Sequence, residues 1–223
     1  IHAIINGTSN YILTRMAQQH VDFGTALEEA QNLGYAEADP TNDLEGIDAA
    51  YKLAVLSTLA FRARVKDTDV HREGITRLTA RDFRYADELG YTIKLMAIAS
   101  RHDDGVQARV HPAMVPNNSM IGNVDGVLNA VEVEPDLAGR VLFHGPGAGS
   151  EPTASAVIAD VIDVARNIVG DIVPIPPLIL ADDIRVRPMA ELETKYYIRL
   201  NVADRSGVLA QIATVFGKHR ISL

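Results

Sequence analysis

The sequence predicts an α/β fold in which a mixed β-sheet is covered by helices and a smaller strand–helix unit follows. Three observations support this prediction. Short apolar runs with strand character, as at 91–100 and 127–133, alternate along the chain with longer helical patterns. Turn residues such as those at 103–105 separate consecutive strands. After about residue 195 the strand and helix pattern starts again, which indicates a second unit.

Four elements are predicted in the first third of the chain: a strand at 1–5 and helices at 9–19, 25–34 and 44–64. Ser9 or Asn10 is expected to cap the first helix, because short polar side chains accept hydrogen bonds from the free N–H groups of a helix start. Thr25 and Glu28 have the spacing of a capping box for the second helix. A loop at 35–43 precedes the third helix.

The middle of the chain continues with a helix at 82–89, strands at 91–100, 106–110 and 127–133, an apolar segment at 140–144 and a helix at 153–169. The proline-rich stretch 174–177 breaks the pattern, and 178–194 has the character of a connection. The final predicted elements are a strand at 196–202, a turn at 204–207, an amphipathic helix at 208–219 and the start of a strand at 221–223.

Composition limits the possible functions. The 223 residues carry a formal net charge of -8, which argues against a nucleic-acid or membrane-surface role. Cysteine is absent, so disulfides and thiolate metal sites are excluded, and the seven histidines lack zinc-ligand spacing, so no metal is expected.

No signal peptide or membrane-spanning apolar run is visible, which makes the cytoplasm the expected location. The chain starts at Ile1 rather than Met, and the whole protein is expected to extend beyond both ends.

The segment 46–61 carries the most informative side chains. Its only charged residues are Asp48 and Lys52, and the helix is otherwise largely apolar on every side, which is typical of a buried helix. The two charges are four residues apart and therefore share one face. A lysine held beside an acid in an apolar wall is suited to general acid–base catalysis. The alternative is a structural ion pair, which usually contributes only about 0.5 kcal/mol.

Four more carboxylates precede this helix: Glu37, Asp39, Asp43 and Glu45. One interpretation is a pocket that holds an amino group next to a reacting carbonyl. The alternative is a helix start, where acidic side chains complement the helix dipole. Asp39 and Glu45 fit the helix start well, whereas Glu37 lies outside the first turn. The spacing does not match an EF-hand calcium loop.

Several segments together resemble the homoserine dehydrogenase family. They are NGTSNYIL at 6–13, LGYAEADP at 33–40, DLEGIDAAYKL at 43–53, GYTIKL at 90–95, and a glycine cluster followed by Pro152 and Thr153. The similarity extends in order over roughly residues 1–190. It implies an NAD(P)-dependent oxidoreductase that interconverts L-aspartate 4-semialdehyde and L-homoserine in threonine, methionine and isoleucine biosynthesis. A homo-oligomer, either dimer or tetramer, is expected.

The resemblance also implies roles for individual residues. Lys52 matches the lysine that protonates the carbonyl oxygen as hydride arrives at the carbon, and Asp48 matches the acid that orients this lysine. Glu37 matches a ligand of the substrate amino group, with Asp43 assisting. The remaining pocket positions are Gly7, Thr8 and Tyr35.

The glycine cluster at 145–149 has two interpretations. Gly145, Gly147 and Gly149 before a helix imitate a dinucleotide fingerprint, but the spacing is G-x-G-x-G rather than G-x-G-x-x-G. The alternative is a tight turn that lets a helix pack closely. The resemblance places this loop, including Ala148, beside an NADP or NAD cofactor, at the seam with a nucleotide-binding domain expected outside this chain. The chain alone is therefore expected to be an inactive fragment.

The tail resembles an ACT domain, a βαββαβ module that senses amino acids. The matching residues are LNVADRSGVL at 200–209, and the turn at 204–207 would lie near an amino-acid effector. The alternative is a closing β–α unit of the catalytic domain. The sequence thus predicts a catalytic, substrate-binding domain at 1–190 and a truncated ACT unit at 195–223. Two other functions stay open: a non-catalytic amino-acid sensor, and another dehydrogenase that acts on an aspartate-family intermediate.

Overall fold

The computed structural model of the chain describes residues 1–171, 178–181 and 184–221. The chain divides into two units, Ile1–Leu192 and Glu193–Leu223. The break predicted at 174–177 and most of the segment predicted at 221–223 lie outside the described residues. None of the described helices combines the length and the apolar character that crossing a bilayer requires.

A six-stranded mixed sheet organises the first unit. Its strands are β1 (His2–Ile4), β2 (His71–Arg72), β3 (Tyr91–His102), β4 (Gly105–Pro116), β5 (Leu128–Val133) and β6 (Val141–Pro146). The order across the sheet is β2-β4-β3-β1-β5-β6. β2 pairs with β4 in parallel, and the other neighbouring pairs are antiparallel. The predicted α/β fold with a mixed sheet is therefore confirmed, and β1 lies between β3 and β5.

Helices of the first unit cover one face of this sheet, except the longest helix, which has no buried residue. Those described in the first unit are α1 (Gly7–Gln19), α2 (Phe23–Asn32), α3 (Thr41–Leu44), α4 (Ile47–Phe61), α5 (Ala80–Glu88) and α6 (Ser150–Gly170). Side chains of α1, α2, α4 and α5 form the main core with alternate β3 residues, Ile93, Leu95 and Ala97. Met96, which lies between them in the strand, belongs to a smaller core on the opposite face.

The turn from β1 into α1 is very short, with only two residues between the strand and the helix. Asn6 caps α1, because its Oδ1 accepts a hydrogen bond from the Ser9 N–H at 2.8 Å. The prediction that Ser9 or Asn10 is the cap was therefore wrong, and both residues lie inside the helix. Gly7 is required at the first helical position, since a Cβ there would lie 2.7 Å from the carbonyl oxygen of Val127.

The long helix predicted at 44–64 is interrupted. α3 ends at Leu44 and α4 begins at Ile47, because Gly46 adopts a φ of +69°, which lies outside right-handed helical backbone. The interruption changes the direction of the chain between Asp43 and Asp48. The two acids therefore belong to different helices, which can bring them to the same point from different directions.

α4 is buried on one side only, so the prediction of a helix buried all round was wrong. Ala49, Ala50 and Leu53 are buried in the main core, where α4 packs against β3 and β4. Tyr51, Val55 and Leu59 form an apolar stripe along the opposite side, where each is more than half exposed. The spacing of these three residues is the helical repeat of four, so one continuous face of α4 lacks cover from the described residues.

Several predicted boundaries shift by a few residues. β3 and β4 are twelve residues each and pair along their whole length, so the hairpin is longer than predicted. Its end is held by the segment at 184–192, where the Val106 N–H donates to the Arg185 carbonyl at 2.9 Å and the Arg187 N–H donates to the Val106 carbonyl at 2.7 Å. α5 begins at Ala80 rather than 82, and α6 begins at Ser150 rather than 153.

The second unit contains α7 (Val208–Lys218), which matches the helix predicted at 208–219 within one residue. The strand predicted at 196–202 is not formed. A strand needs a partner for its backbone N–H and C=O groups, and the described residues of this unit supply none. The assignment of 195–223 to an ACT unit stays a prediction.

Candidate active site

An ion pair between Asp48 and Lys52 lies on α4. The two residues are one helical turn apart, and Lys52 Nζ lies 2.7 Å from Asp48 Oδ2. The ammonium also donates to the backbone carbonyl of Ile5 at 3.2 Å, which fixes it against the turn that follows β1. The Lys52 side chain is 49% exposed, so the ammonium is both held in place and accessible. The structure thus brings the two predicted catalytic residues into direct contact.

Asn6 connects this pair to Asp43. Its Nδ2 donates to Asp43 Oδ1 at 2.6 Å and to Asp48 Oδ2 at 3.0 Å. The backbone of Asp43 is fixed as well, because its carbonyl accepts a hydrogen bond from the Ser9 hydroxyl at 2.8 Å. Asn6, Asp43, Asp48 and Lys52 therefore form one hydrogen-bonded group, here called the acid–lysine cluster.

The loop after α2 carries the other predicted pocket residues. Thr8 donates through Oγ1 to the carbonyl of Tyr35 at 2.7 Å, and the Tyr35 ring packs on Tyr11 with 4.9 Å between ring centroids. The backbone carbonyl of Glu37 accepts a hydrogen bond from the Gln31 side chain at 3.1 Å. The Glu37 carboxylate is exposed and has no hydrogen-bond or ion-pair partner among the described residues. The loop is tied to α1, but Glu37 does not contact the acid–lysine cluster.

Asp39 and Glu45 have structural contacts instead. Asp39 Oδ1 accepts hydrogen bonds from the hydroxyl of Thr41 at 2.6 Å and from its N–H at 3.2 Å, where α3 begins. These bonds lower the pKa of the Asp39 carboxyl. Glu45 Oε1 accepts a hydrogen bond from the Thr76 hydroxyl at 2.9 Å. The Asp39 contacts fit the helix-start interpretation, whereas the Glu45 carboxylate is bonded to Thr76, which lies in no helix. Glu37 and Asp43 remain as the acids with a carboxylate oxygen available to a ligand.

The glycine loop at 145–149 joins β6 to α6. A Cβ on Gly147 would overlap the side-chain amide of Asn129, which would have to move, and Gly149 has a φ of +126°, which favours glycine. The space beside Gly145 is open, and Ala148 is exposed. The loop leads into the N-terminus of a 21-residue helix, where unpaired N–H groups favour an anion such as phosphate. Its backbone can therefore form one wall of a cofactor site.

Asn6 joins the acid–lysine cluster but was not among the pocket residues predicted from the sequence. A polar side chain at the junction of a predicted strand and a predicted helix was the signal that could have identified it. Within the described ranges, no three His, Cys, Asp or Glu side chains are grouped so that they could hold a metal ion.

Lys94 on β3 was also not predicted as a buried charge. Its side chain is only 2% exposed, and its Nζ donates to the Val124 carbonyl at 2.7 Å and to Asp125 Oδ1 at 2.8 Å. Burial lowers the pKa of Lys94, and the contact with Asp125 partly offsets that effect. These bonds hold the loop at 124–128, in which the Val127 backbone packs against Gly7.

Comparisons with known sequences agree on one family. A sequence model described as homoserine dehydrogenase matches residues 1–162. The homoserine dehydrogenase of Neisseria gonorrhoeae is 44% identical over 228 aligned residues, which cover 100% of this chain and 52% of that protein. That of Mycobacterium tuberculosis is 48% identical over 229 aligned residues, again with 100% and 52% coverage.

Solved structures give the same result. A crystal structure of a homoserine dehydrogenase from Thiobacillus denitrificans has a TM-score of 0.92 and 50% identity, and covers 97% of this chain and 51% of that one. A hyperthermophilic archaeal homoserine dehydrogenase in complex with NADPH has a TM-score of 0.61 and 30% identity, over 74% of this chain and 46% of that one. The chain spans about half the length of the curated relatives it matches. It belongs to the homoserine dehydrogenase family.

Proposed function

We propose that the protein carrying this chain is a homoserine dehydrogenase, which interconverts L-aspartate 4-semialdehyde and L-homoserine in threonine, methionine and isoleucine biosynthesis. The observation that carries the proposal is the geometry of the Lys52 ammonium. An ammonium has three N–H donors. Lys52 directs one to Asp48 and one to the Ile5 carbonyl. The third has no acceptor among the described residues and is available to a substrate oxygen.

Lys52 supplies the proton in the reductive direction. NADPH or NADH, when bound, supplies hydride to the carbonyl carbon, and negative charge then develops on the carbonyl oxygen. The remaining N–H of Lys52 donates a hydrogen bond to that oxygen, stabilises its charge and transfers the proton. Asp48 keeps the ammonium oriented during this step. In the oxidative direction, neutral Lys52 accepts the hydroxyl proton of homoserine.

Two acids, Glu37 and Asp43, bind the amino-acid part of the substrate. Glu37 has an exposed carboxylate without a partner, and Asp43 has one oxygen, Oδ2, without a donor among the described residues. Both are suited to the substrate ammonium, which needs charged acceptors. Gly7, Thr8 and Tyr35 line the same pocket, and the hydrogen bond from Thr8 to the Tyr35 carbonyl sets the distance between α1 and the loop that carries Glu37.

The glycine loop is the proposed cofactor wall. Gly145, Gly147, Ala148 and Gly149 present backbone with little side-chain bulk at the start of α6, where a phosphate or the nicotinamide amide can approach closely. The similarity to an archaeal homoserine dehydrogenase in complex with NADPH supports a nicotinamide cofactor.

We also propose a regulatory unit, an oligomeric state and a location for the whole protein. Residues 195–223 begin an ACT unit with an amino-acid effector, and α7 with its preceding turn supports this assignment. The protein is a homo-oligomer, either a dimer or a tetramer, which the exposed apolar stripe on α4 supports. Its location is the cytoplasm, where amino-acid biosynthesis takes place.

Replacement of Lys52 tests the proposed function. In the full-length protein that contains this chain, Lys52→Ala should lower kcat for NADPH-dependent reduction of aspartate semialdehyde by roughly 10²- to 10⁴-fold, because a general acid is lost. Lys66→Ala, which removes an exposed lysine outside the site, is the matched control and should leave kcat unchanged. Near-normal kcat in Lys52→Ala would rule out the proton-transfer role. Absence of activity in the unmodified protein with both nicotinamide cofactors would refute the function itself.

A further inference from the structure

Asn6 uses both ends of its side chain in the acid–lysine cluster. The residue is 7% exposed. Its Oδ1 accepts the Ser9 N–H, and because an N–H group can only donate, this bond fixes which end of the amide faces α1. The Nδ2 group is therefore turned toward the acids, where its two protons meet Asp43 and Asp48.

We propose that Asn6 is a positioning residue of the dehydrogenase site, which acts on Lys52 through Asp48 and on the substrate through Asp43. The inference rests on the proposed function. Two carboxylates that share one small site repel each other when both are ionised. One neutral amide with two N–H groups holds both acids in place without adding charge.

The hydrogen bonds leave specific atoms available. Asp48 Oδ2 accepts from both Asn6 and Lys52, and Asp43 Oδ1 accepts from Asn6. The second oxygens, Asp43 Oδ2 and Asp48 Oδ1, have no donor among the described residues. The Asn6 hydrogen bonds therefore occupy one oxygen of each carboxylate, and the other oxygen remains available to a ligand. A purely structural helix cap would use only the Oδ1 bond to Ser9.

Two substitutions separate positioning from capping. Asp and Ser cap helix starts about as well as Asn, so Asn6→Asp and Asn6→Ser keep an acceptor for the Ser9 N–H. Asn6→Asp removes both donors and adds a third carboxylate at nearly constant volume. Asn6→Ser removes the amide without adding charge. In the full-length protein, both variants should lower kcat by roughly 10²-fold, because misplacement by about 1 Å is enough for such a loss.

The KM for the amino-acid substrate should rise at the same time, because Asp43 loses its partner. Thr79→Ala is the matched control, since it removes a threonine at the start of α5 whose hydroxyl donates to Asp82 at 2.7 Å. It should lower Tm and leave kcat and KM unchanged at the assay temperature. Asn6 variants that keep parental kcat and KM would show that the residue is a cap only and would overturn the proposal.

A double-mutant cycle with Asp48→Asn tests whether Asn6 affects kcat through Asp48. If Asn6 acts through Asp48, the variant with both Asn6→Ser and Asp48→Asn should have nearly the kcat of Asp48→Asn alone. Fold-losses in kcat that multiply would show independent effects and would contradict the proposal. Lys52→Ala is measured in the same series. Parental kcat in that variant would refute the proposed role of Lys52, whereas a loss there combined with parental kcat in both Asn6 variants would refute only the role of Asn6.

Discussion

Lys52 is partly exposed, and this explains its proposed chemistry better than deep burial would. Complete burial of an ammonium removes hydration that a single ion pair does not fully replace. Lys52 remains 49% exposed while one carboxylate and one backbone carbonyl hold it. Water can therefore occupy the third donor when substrate is absent, and the folded protein does not carry a large desolvation cost. The apolar character of 46–61 drew attention to Lys52, but it reflects burial on only one side of α4.

Glu37 offers a test of substrate binding at a single side chain. Glu37→Gln keeps the size of the side chain and removes its charge. A hydrogen bond to a charged group contributes about 1.5 to 3 kcal/mol. The KM for the amino-acid substrate should therefore rise roughly 10- to 100-fold, with kcat much less affected. Steady-state kinetics at varied concentrations of aspartate semialdehyde provide the measurement.

Glu28→Gln is the control for Glu37, because it removes one exposed negative charge from α2 without touching the loop. Its KM should equal that of the parent. The Tm of both variants should also be unchanged, since neither carboxylate has a partner among the described residues. A fall in kcat with constant KM would contradict a binding role for Glu37 and would place it in the chemical step.

At the scale of elements, hydrophobic periodicity predicted the type and order of most helices and strands of the first unit. Details that depend on contacts distant in sequence were not predictable from it. Asn6 caps α1 because the helix begins at Gly7, only two residues after β1, a boundary that local sequence does not reveal. The break at Gly46 was missed because a single glycine in an apolar helical pattern is usually tolerated. The candidate site residues were predicted from the family resemblance, whereas the hydrogen bonds of Asn6 to Asp43 and Asp48 became visible only in the fold.

The loop at 124–128 is held against α1 and β3 by buried polar contacts, and its stability should depend on pH. Val124 accepts hydrogen bonds from Lys94 and from the Asn10 side chain. Burial lowers the pKa of Lys94 below its value in the unfolded chain, which is about 10.4. Between these two values the unfolded chain binds more protons than the folded protein, so the Lys94 contribution to the free energy of unfolding rises with pH.

Urea unfolding of the parent and of Lys94→Met should show this effect. The parent should gain stability relative to the variant as the pH is raised from about 7 toward about 10.4. Asp125→Asn is the matched variant, because it removes the negative charge that raises the pKa of Lys94. The gain in that variant should begin at a lower pH than in the parent. A relative loss of stability with rising pH would mean that the ion pair outweighs desolvation.

At the scale of the whole molecule, the end of the first unit is marked by a charged network. Arg185 donates to both oxygens of Glu191, at 3.1 and 3.0 Å, and Arg187 donates to the same carboxylate at 3.1 Å. Arg185 also binds Asp104 in the turn between β3 and β4. The segment at 184–192 therefore belongs to the sheet domain, although its sequence has the character of a connection. A cut that separates the two units without damage to the first should fall after Leu192.

Truncation after Leu192 tests whether the second unit is regulatory. If 195–223 begins an ACT unit, the full-length protein should respond to an amino-acid end product, of which threonine is the first to test. Effector coupling typically changes affinity by roughly 5- to 150-fold. Truncation should abolish this response in the apparent KM and leave catalysis in place, because Arg185, Arg187 and Glu191 all remain.

A shorter form that ends at Ala181 is the control. It lacks the backbone hydrogen bonds to Val106 and should have a lower Tm. Loss of activity or folding in the form that ends at Leu192 would instead assign the tail to the catalytic domain, as a closing β–α unit.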